Sequence, residues 1–164
     1  MQKIVAKILL LGSVGVGKTS LTRQFVHSKF SEEYHSTIGV KVDKKVIEFE
    51  DGQVDLLIWD LAGEIFQSDL FRKYMKGASG VMGVFDITRP LTYGKLQEVF
   101  KELHTSNATI KKIILGNKAD LSEDDTYAKY IDNTYEYDFL TSAKTGGNVN
   151  EAFTYLARTI HTSV

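Results

Sequence analysis

The chain contains no cysteine. That excludes disulfides and any thiolate-held metal, and it fits a reducing, cytoplasmic compartment. Proline occurs once, at Pro90, and no low-complexity tract, repeat or linker interrupts the sequence. No apolar run approaches the roughly 20 residues that a membrane-spanning helix needs. The longest candidate, Ile8-Leu9-Leu10-Leu11, reads as a buried strand. Neither sign of charge dominates: 20 basic and 21 acidic side chains leave a net charge of -1. A general drive toward nucleic acid or an anionic membrane is thereby excluded. His27, His35, His104 and His161 are scattered without ligand spacing, so no zinc site is expected. Met1-Gln2-Lys3 lacks the glycine for myristoylation, and no cysteine stands near Val164 for prenylation. Either the protein works unlipidated or a lipidated tail lies outside this chain.

What is present is ordinary for a globular protein: 164 residues, 43% hydrophobic and 25% charged. Residues 1–164 are expected to form one domain that buries roughly two-thirds of its unfolded surface. Lys3 to Leu11 is nearly continuously apolar, as a strand covered on both faces would be. A glycine-rich turn follows. Thr19 to His27 then reads as a helix, with Leu21 and Phe25 on one side. Lys29 to Gly39 is a loop. Val40 to Glu50 and Gln53 to Asp60 are strands, and Asp51-Gly52 between them suits the positive φ of a tight hairpin turn. Ile65 to Gly77 is irregular or helical, and Val81 to Ile87 is a strand. Thr88 is placed to cap a helix that carries Pro90 in its first turn and runs to about Thr105. A strand at Lys112–Gly116, a helix near Asp124–Asn133, a strand at Glu136–Leu140 and a helix at Val149–Thr162 complete the order. Alternation of this kind predicts an α/β fold with a mostly parallel sheet and helices on both faces.

Five motifs, at Gly12 to Thr19, Thr37, Asp60 to Gly63, Asn117 to Asp120 and Ser142 to Lys144, fall just after the C-terminal ends of strands, where open α/β sheets bind ligands. Gly12 to Thr19 fits G-x-x-x-x-G-K-[ST], the phosphate-binding P-loop, between a predicted strand and a predicted helix. Gly15 and Gly17 let backbone N–H groups curl around an anion, joined by those of Val14, Val16 and Ser20, and the helix opening near Lys18 points its positive end there. Lys18 is expected between the β- and γ-phosphates, and the Thr19 hydroxyl on Mg²⁺. Asp60, in Asp60-Leu61-Ala62-Gly63, is expected to reach the metal through water. Gly63 brings a bare N–H to the γ-phosphate. A lone D-x-x-G is more often a turn, and only its companions raise it above that. Asn117-Lys118-Ala119-Asp120 and Ser142-Ala143-Lys144 point to guanine. The Asp120 carboxylate accepts from the N1–H and the exocyclic amine of guanine, a pair that adenine does not present. Asn117 braces the loop, the Lys118 stem lies along the base, Ala143 N–H meets the guanine carbonyl, and Lys144 stacks its stem over the ring. Phe30 packs edge-on against the base, or else is an ordinary core aromatic.

With these residues the chain closely resembles the small GTPases of the Ras superfamily, most closely the Rab branch, from about Lys3 to Ala157. Phe30 to Val40, Trp59-Asp60, Lys76-Gly77-Ala78 and Gly116 to Leu121 carry the likeness. The resemblance implies a P-loop NTPase fold: a three-layer αβα sandwich, six strands with one antiparallel, and five helices. It also implies a GTP/GDP switch. Thr37 binds Mg²⁺ and the γ-phosphate in the GTP state, Tyr34 closes over the phosphates, and loops at about 30–42 and 63–75 reorder on hydrolysis. Effector, exchange factor and GTPase-activating protein are expected at those loops, on a monomer without a membrane anchor in this chain.

Three departures stand out. Glu64 occupies the place of the glutamine that orients water, and an ionised carboxylate only accepts hydrogen bonds. It is the catalytic-position candidate, with Lys18 and Thr37. Val14 is branched where the family carries a small residue; it either crowds an arginine from a partner or is harmless. Val42 and Ile65-Phe66-Gln67 alter the partner-facing surface. No arginine lies between Lys29 and Val46, so that loop supplies no arginine finger and unaided hydrolysis should be slow. A GTP-loaded binding module with little turnover is the alternative, and an ATP-using P-loop kinase is disfavoured by the guanine motifs. Ile65, Phe66, Leu70 and Phe71 are either core or partner contact. Tyr127, Tyr130, Tyr135 and Tyr137 read as a half-buried structural face. Glu123-Asp124-Asp125 reads as a solvated helix start, where negative charge suits the dipole.

Overall fold

A computed structural model describes residues 1–66, 68–107, 109–122 and 124–164. Six strands form one sheet: β1 Gln2–Leu11, β2 Val40–Phe49, β3 Gly52–Leu61, β4 Gly80–Asp86, β5 Lys111–Asn117 and β6 Phe139–Leu140. Their order is β2-β3-β1-β4-β5-β6, and only the β2–β3 pairing is antiparallel. β1 lies between β3 and β4, so the chain crosses from one side of β1 to the other between those two strands, and a crevice opens above the C-terminal end of β1. The helices are α1 Lys18–His27, α2 Gly63–Phe66, α3 Phe71–Met75, α4 Pro90–Ser106, α5 Asp125–Thr134 and α6 Val149–His161, with a 3₁₀ turn at Ala119–Leu121.

The period-two geometry of β1 splits its apolar run between two cores. Ile8 and Leu10 face α1 and α6, where Phe25 stacks on Phe153 with ring centroids 4.3 Å apart. Leu9 and Leu11 join Phe66, Phe71, Phe85, Leu96 and Phe100 on the opposite face. Each fully buried side chain of this size contributes about 1.5–3 kcal/mol. The αβα architecture therefore follows the sequence expectation.

Four details differ. The described residues contain six helices, not five, because 63–77 splits into α2 and α3; Gln67 lies outside the described residues. The hairpin turn falls on Glu50-Asp51, and Gly52 already pairs with Phe49 without a positive φ. Gly52 is small for another reason: a Cβ there would sit 2.4 Å from the Gln2 carbonyl oxygen and 2.5 Å from His161 Nε2. Arg89, not Thr88, holds the N-cap place of α4, without a side-chain cap. The Thr88 hydroxyl donates to Asp86 Oδ1 at 2.6 Å instead. The last strand covers only Phe139–Leu140 of the expected 136–140.

Phe66 and Phe71 are core, whereas Leu70 is exposed and Ile65 only packs on the core edge. Tyr135 is buried, Tyr127 and Tyr137 are half-buried and Tyr130 is exposed, close to the expected face. Asp124 caps α5 by accepting from Tyr127 N–H at 2.8 Å. Glu123 of that acidic run lies outside the described residues.

Candidate functional site

A cavity of about 370 Å³ opens over the C-terminal ends of β1, β3 and β5. Sixteen of the residues singled out from sequence line it: Val14, Gly15, Gly17, Lys18, Thr19, Ser20, Phe30, Tyr34, Thr37, Gly63, Glu64, Asn117, Lys118, Asp120, Ala143 and Lys144. Three do not. Val16 is fully buried, with its side chain in the core. Ser142 stands behind Asp120, and Asp60 stands behind Thr19, each reaching the cavity through its neighbour. Phe30 sits at the rim, 38% exposed, and is not a core aromatic.

At one end the backbone curls as the glycines predict. Gly15 and Gly17 take φ of 80° and 105°. A Cβ at Gly17 would also fall 2.3 Å from Asn117 Nδ2. Lys18 reaches back under the loop, and its Nζ donates to the Gly12 and Ser13 carbonyls at 2.9 and 3.1 Å. Burial pushes the Lys18 ammonium down to about 8, against the opposing pull of Asp60 and Glu64. A buried cation whose partners are only two neutral carbonyls is prepared for an anion.

Beside it three oxygen donors converge. Thr19 Oγ1 donates to Asp60 Oδ2 at 2.5 Å and lies 2.7 Å from Thr37 Oγ1. Asp60 Oδ1 is buried without a hydrogen-bond partner. Burial raises the Asp60 carboxyl, opposed by the Thr19 hydrogen bond and Lys18. Two hydroxyls and one carboxylate with a spare oxygen are hard donors, and they fit Mg²⁺. Gly63 presses on Val14: a Cβ on Gly63 would meet Val14 Cγ2 and Val14 N at 2.5 Å.

At the other end Asn117 ties the two motifs together. Its Nδ2 donates to the Val16 carbonyl at 2.9 Å, and its Oδ1 accepts from Thr141 Oγ1 at 3.1 Å. Lys118 takes the left-handed φ of 68°, a sparsely populated conformation for a lysine. The chain then turns through the 3₁₀ segment that carries Asp120. Ser142 Oγ donates to Asp120 Oδ1 at 2.8 Å, which leaves the second carboxylate oxygen free of that bond. Ala143 is fixed through its carbonyl by Gln24 Nε2 at 3.0 Å. Lys144 Nζ meets Glu32 Oε1 at 3.1 Å, closing the wall between the last loop and the 29–39 segment. Tyr34 is exposed there, its hydroxyl accepting from Ser36 Oγ at 3.5 Å.

Two residues carry more than the sequence disclosed. Asp86 is fully buried, with Lys118 Nζ 2.8 Å from its Oδ2, though not aligned as a hydrogen bond. Arg89 Nη1 donates to the Val14 carbonyl at 3.1 Å. Neither belongs to a motif, and only the adjacency of β4 to β1 and β5 reveals them. Arg23, Glu33, His35 and Leu121 also line the cavity; proximity to the motifs was their only signal.

The sequence matches the Ras family over residues 7–162. It is 35% identical over 163 residues to the Ras-related protein Rab-8B of Dictyostelium discoideum, covering 95% of this chain and 80% of that protein. It is 33% identical over 165 residues to the Ras-related protein Rab-1 of Theileria parva, covering 96% and 75%. It is 39% identical over 160 residues to the human Ras-related protein Rab-4B, covering 94% and 75%.

Proposed function

The chain belongs to the Ras family and is a Rab-like small GTPase, and from that premise we propose a regulatory switch that binds GTP and GDP with Mg²⁺ and hydrolyses GTP slowly. Residues 1–164 form one such domain. One observation carries the reading: Thr19, Thr37 and Asp60 meet beside Lys18, in the same cavity whose far end presents Asp120.

Lys18 engages the β- and γ-phosphates, and the N–H groups of Val14 to Ser20 cradle them. Thr19 and Thr37 hold Mg²⁺ directly and Asp60 through water; the metal, when bound, neutralises charge that develops on the phosphoryl oxygens. Gly63 N–H approaches the γ-phosphate. Asp120 selects guanine, Ala143 N–H binds its carbonyl, and the stems of Lys118 and Lys144 flank the ring, with Phe30 at its edge and Tyr34 over the phosphates. Segments 30–42 and 63–75 change with the nucleotide and present the surface for effector, exchange factor and activating protein, in membrane traffic or signalling. No helix among the described residues is long and apolar enough to cross a membrane. A cytoplasmic monomer fits this reading.

Two measurements test the chemistry. Single-turnover hydrolysis orders three proteins: Glu64→Gln is fastest, because it removes a negative charge beside the γ-phosphate and restores a donor, and Glu64→Ala is slowest. Equal rates for all three would remove Glu64 from the mechanism. Chelating Mg²⁺ speeds GDP release about tenfold or more, and Asp60→Ala does the same with the metal present. Metal-independent release would disprove the donor set.

A second reading rests on Glu64, in the place of the water-orienting glutamine, and on Val14, whose branched side chain lies against Gly63: a GTP-loaded binding module that hardly turns over. Nucleotide extracted from the purified protein separates the two: mostly GDP marks the cycling enzyme, mostly GTP the module.

A further inference from the structure

Asp86 is a charged side chain with no surface exposure. It ends β4, paired in register with Asn117 of β5, and so stands beside the first residues of the guanine motif. Its two oxygens have different surroundings. Oδ1 accepts from the N–H and the hydroxyl of Thr88 at 2.9 and 2.6 Å and shapes the turn after the strand. Oδ2 is buried without a hydrogen-bond partner among the described residues. It faces two cations, Lys118 Nζ at 2.8 Å and Arg89 Nη1 at 4.0 Å. Arg89 is committed elsewhere, because the same nitrogen donates to the Val14 carbonyl. Lys118 is therefore the close counter-charge of a buried carboxylate. The turn at Thr88 needs only a neutral acceptor, which an asparagine would supply. Burying a charge there instead is costly unless the charge is paired, and the pair it makes runs to a residue of the nucleotide cavity.

We propose that Asp86 is a positioning residue for the base: it holds the Lys118 ammonium so that the lysine stem stands as a fixed wall against the face of guanine. The inference rests on guanine nucleotide occupying the cavity. The Lys118 side chain is 33% exposed, and a flexible lysine stem gives up rotamer freedom when it lies along a base. Tying its head to a buried carboxylate removes much of that freedom before the base arrives, and preorganisation of this kind tightens binding without a new contact to the ligand. Asp86 thus acts on the face of the base, whereas Asp120 acts on its edge.

The test times GDP release from the parent protein, Asp86→Asn, Lys118→Met and the double variant. Asparagine keeps an acceptor for Thr88 and drops the charge; methionine keeps the stem of Lys118 and drops its head. Each single change speeds release about tenfold, and the double variant is no faster than either. Multiplied effects, about a hundredfold in the double variant, or an unchanged rate in Asp86→Asn would overturn the proposal. Inosine diphosphate, which lacks the exocyclic amine, is released faster from Asp86→Asn by the same factor as GDP. Unequal factors would show Asp86 acting through Asp120 instead. Single-turnover hydrolysis of GTP already bound stays within about twofold of the parent rate. A parallel fall in hydrolysis would mark Asp86 as a residue of the fold alone. Should Asp86→Asn not fold, Lys118→Arg decides in its place: it keeps a cation for Asp86 and releases GDP near the parent rate, and release as fast as from Lys118→Met would overturn the pairing. Nucleotide content is measured first. A parent protein that retains no guanine nucleotide refutes the GTPase reading and this one with it, whereas one that holds GDP and shows multiplied effects refutes Asp86 alone.

Discussion

Asp120→Ala collapses the preference for GTP over ATP from about 10⁴ to near unity, mainly by weakening GTP. The geometry explains the size of the effect. Ser142 occupies one side of the Asp120 carboxylate at 2.8 Å, so the group is oriented before any base arrives. Guanine supplies two N–H donors to it. Adenine supplies no such pair and leaves a desolvated carboxylate unpaired, which costs several kcal/mol. Without the carboxylate, neither base is rewarded and neither is penalised. Because Asp120 is exposed, its removal leaves folding nearly untouched, and thermal denaturation of the nucleotide-free variant serves as the control. Competition between GTP and ATP for the empty site measures the outcome. A variant that still prefers GTP strongly would show that base selection lies elsewhere, and Ala143 would be the next residue to examine.

Both ends of this cavity were legible because each motif concentrates one ligand's chemistry into a few consecutive residues. Gly15, Gly17 and Lys18 point to a phosphate because they follow a strand and open a helix. Contacts between distant segments were not legible. The Arg89–Val14 bond spans 75 residues of sequence, and no local pattern distinguishes Arg89 from any other arginine at a helix start. Gly52 looked like a turn glycine because it follows an aspartate between two strands. Its actual constraint comes from Gln2 and His161, at the two ends of the chain. Thr88 offered a plausible cap, but Asp86 two residues earlier takes its hydroxyl. In each case the local chemistry was read correctly and a tertiary partner won. The split of 63–77 into two helices has the same origin. Phe66 of α2 and Phe71 of α3 are both drawn into one core.

Lys18→Met separates what the P-loop needs for binding from what it needs for folding. The substitution lowers GTP affinity by at least about 100-fold, since a charge-assisted contact to two phosphates is lost from a partly desolvated site. The same substitution stabilises the nucleotide-free protein by about 1–2 kcal/mol, seen as a melting temperature higher by roughly 2–8 °C. The second half follows from burial. Lys18 is only 6% exposed, and its ammonium is met by two neutral carbonyls. Asp60 and Glu64 offset part of that cost, yet the Lys18 ammonium is still held near 8, so desolvation outweighs attraction. Methionine keeps the length and apolar stem of lysine without the charge. The two effects have opposite signs, which a general loss of structure cannot imitate. A variant that both melts lower and binds GTP poorly would mean that Lys18 holds the loop together, and that the strain of an unpaired buried cation is not what the nucleotide relieves.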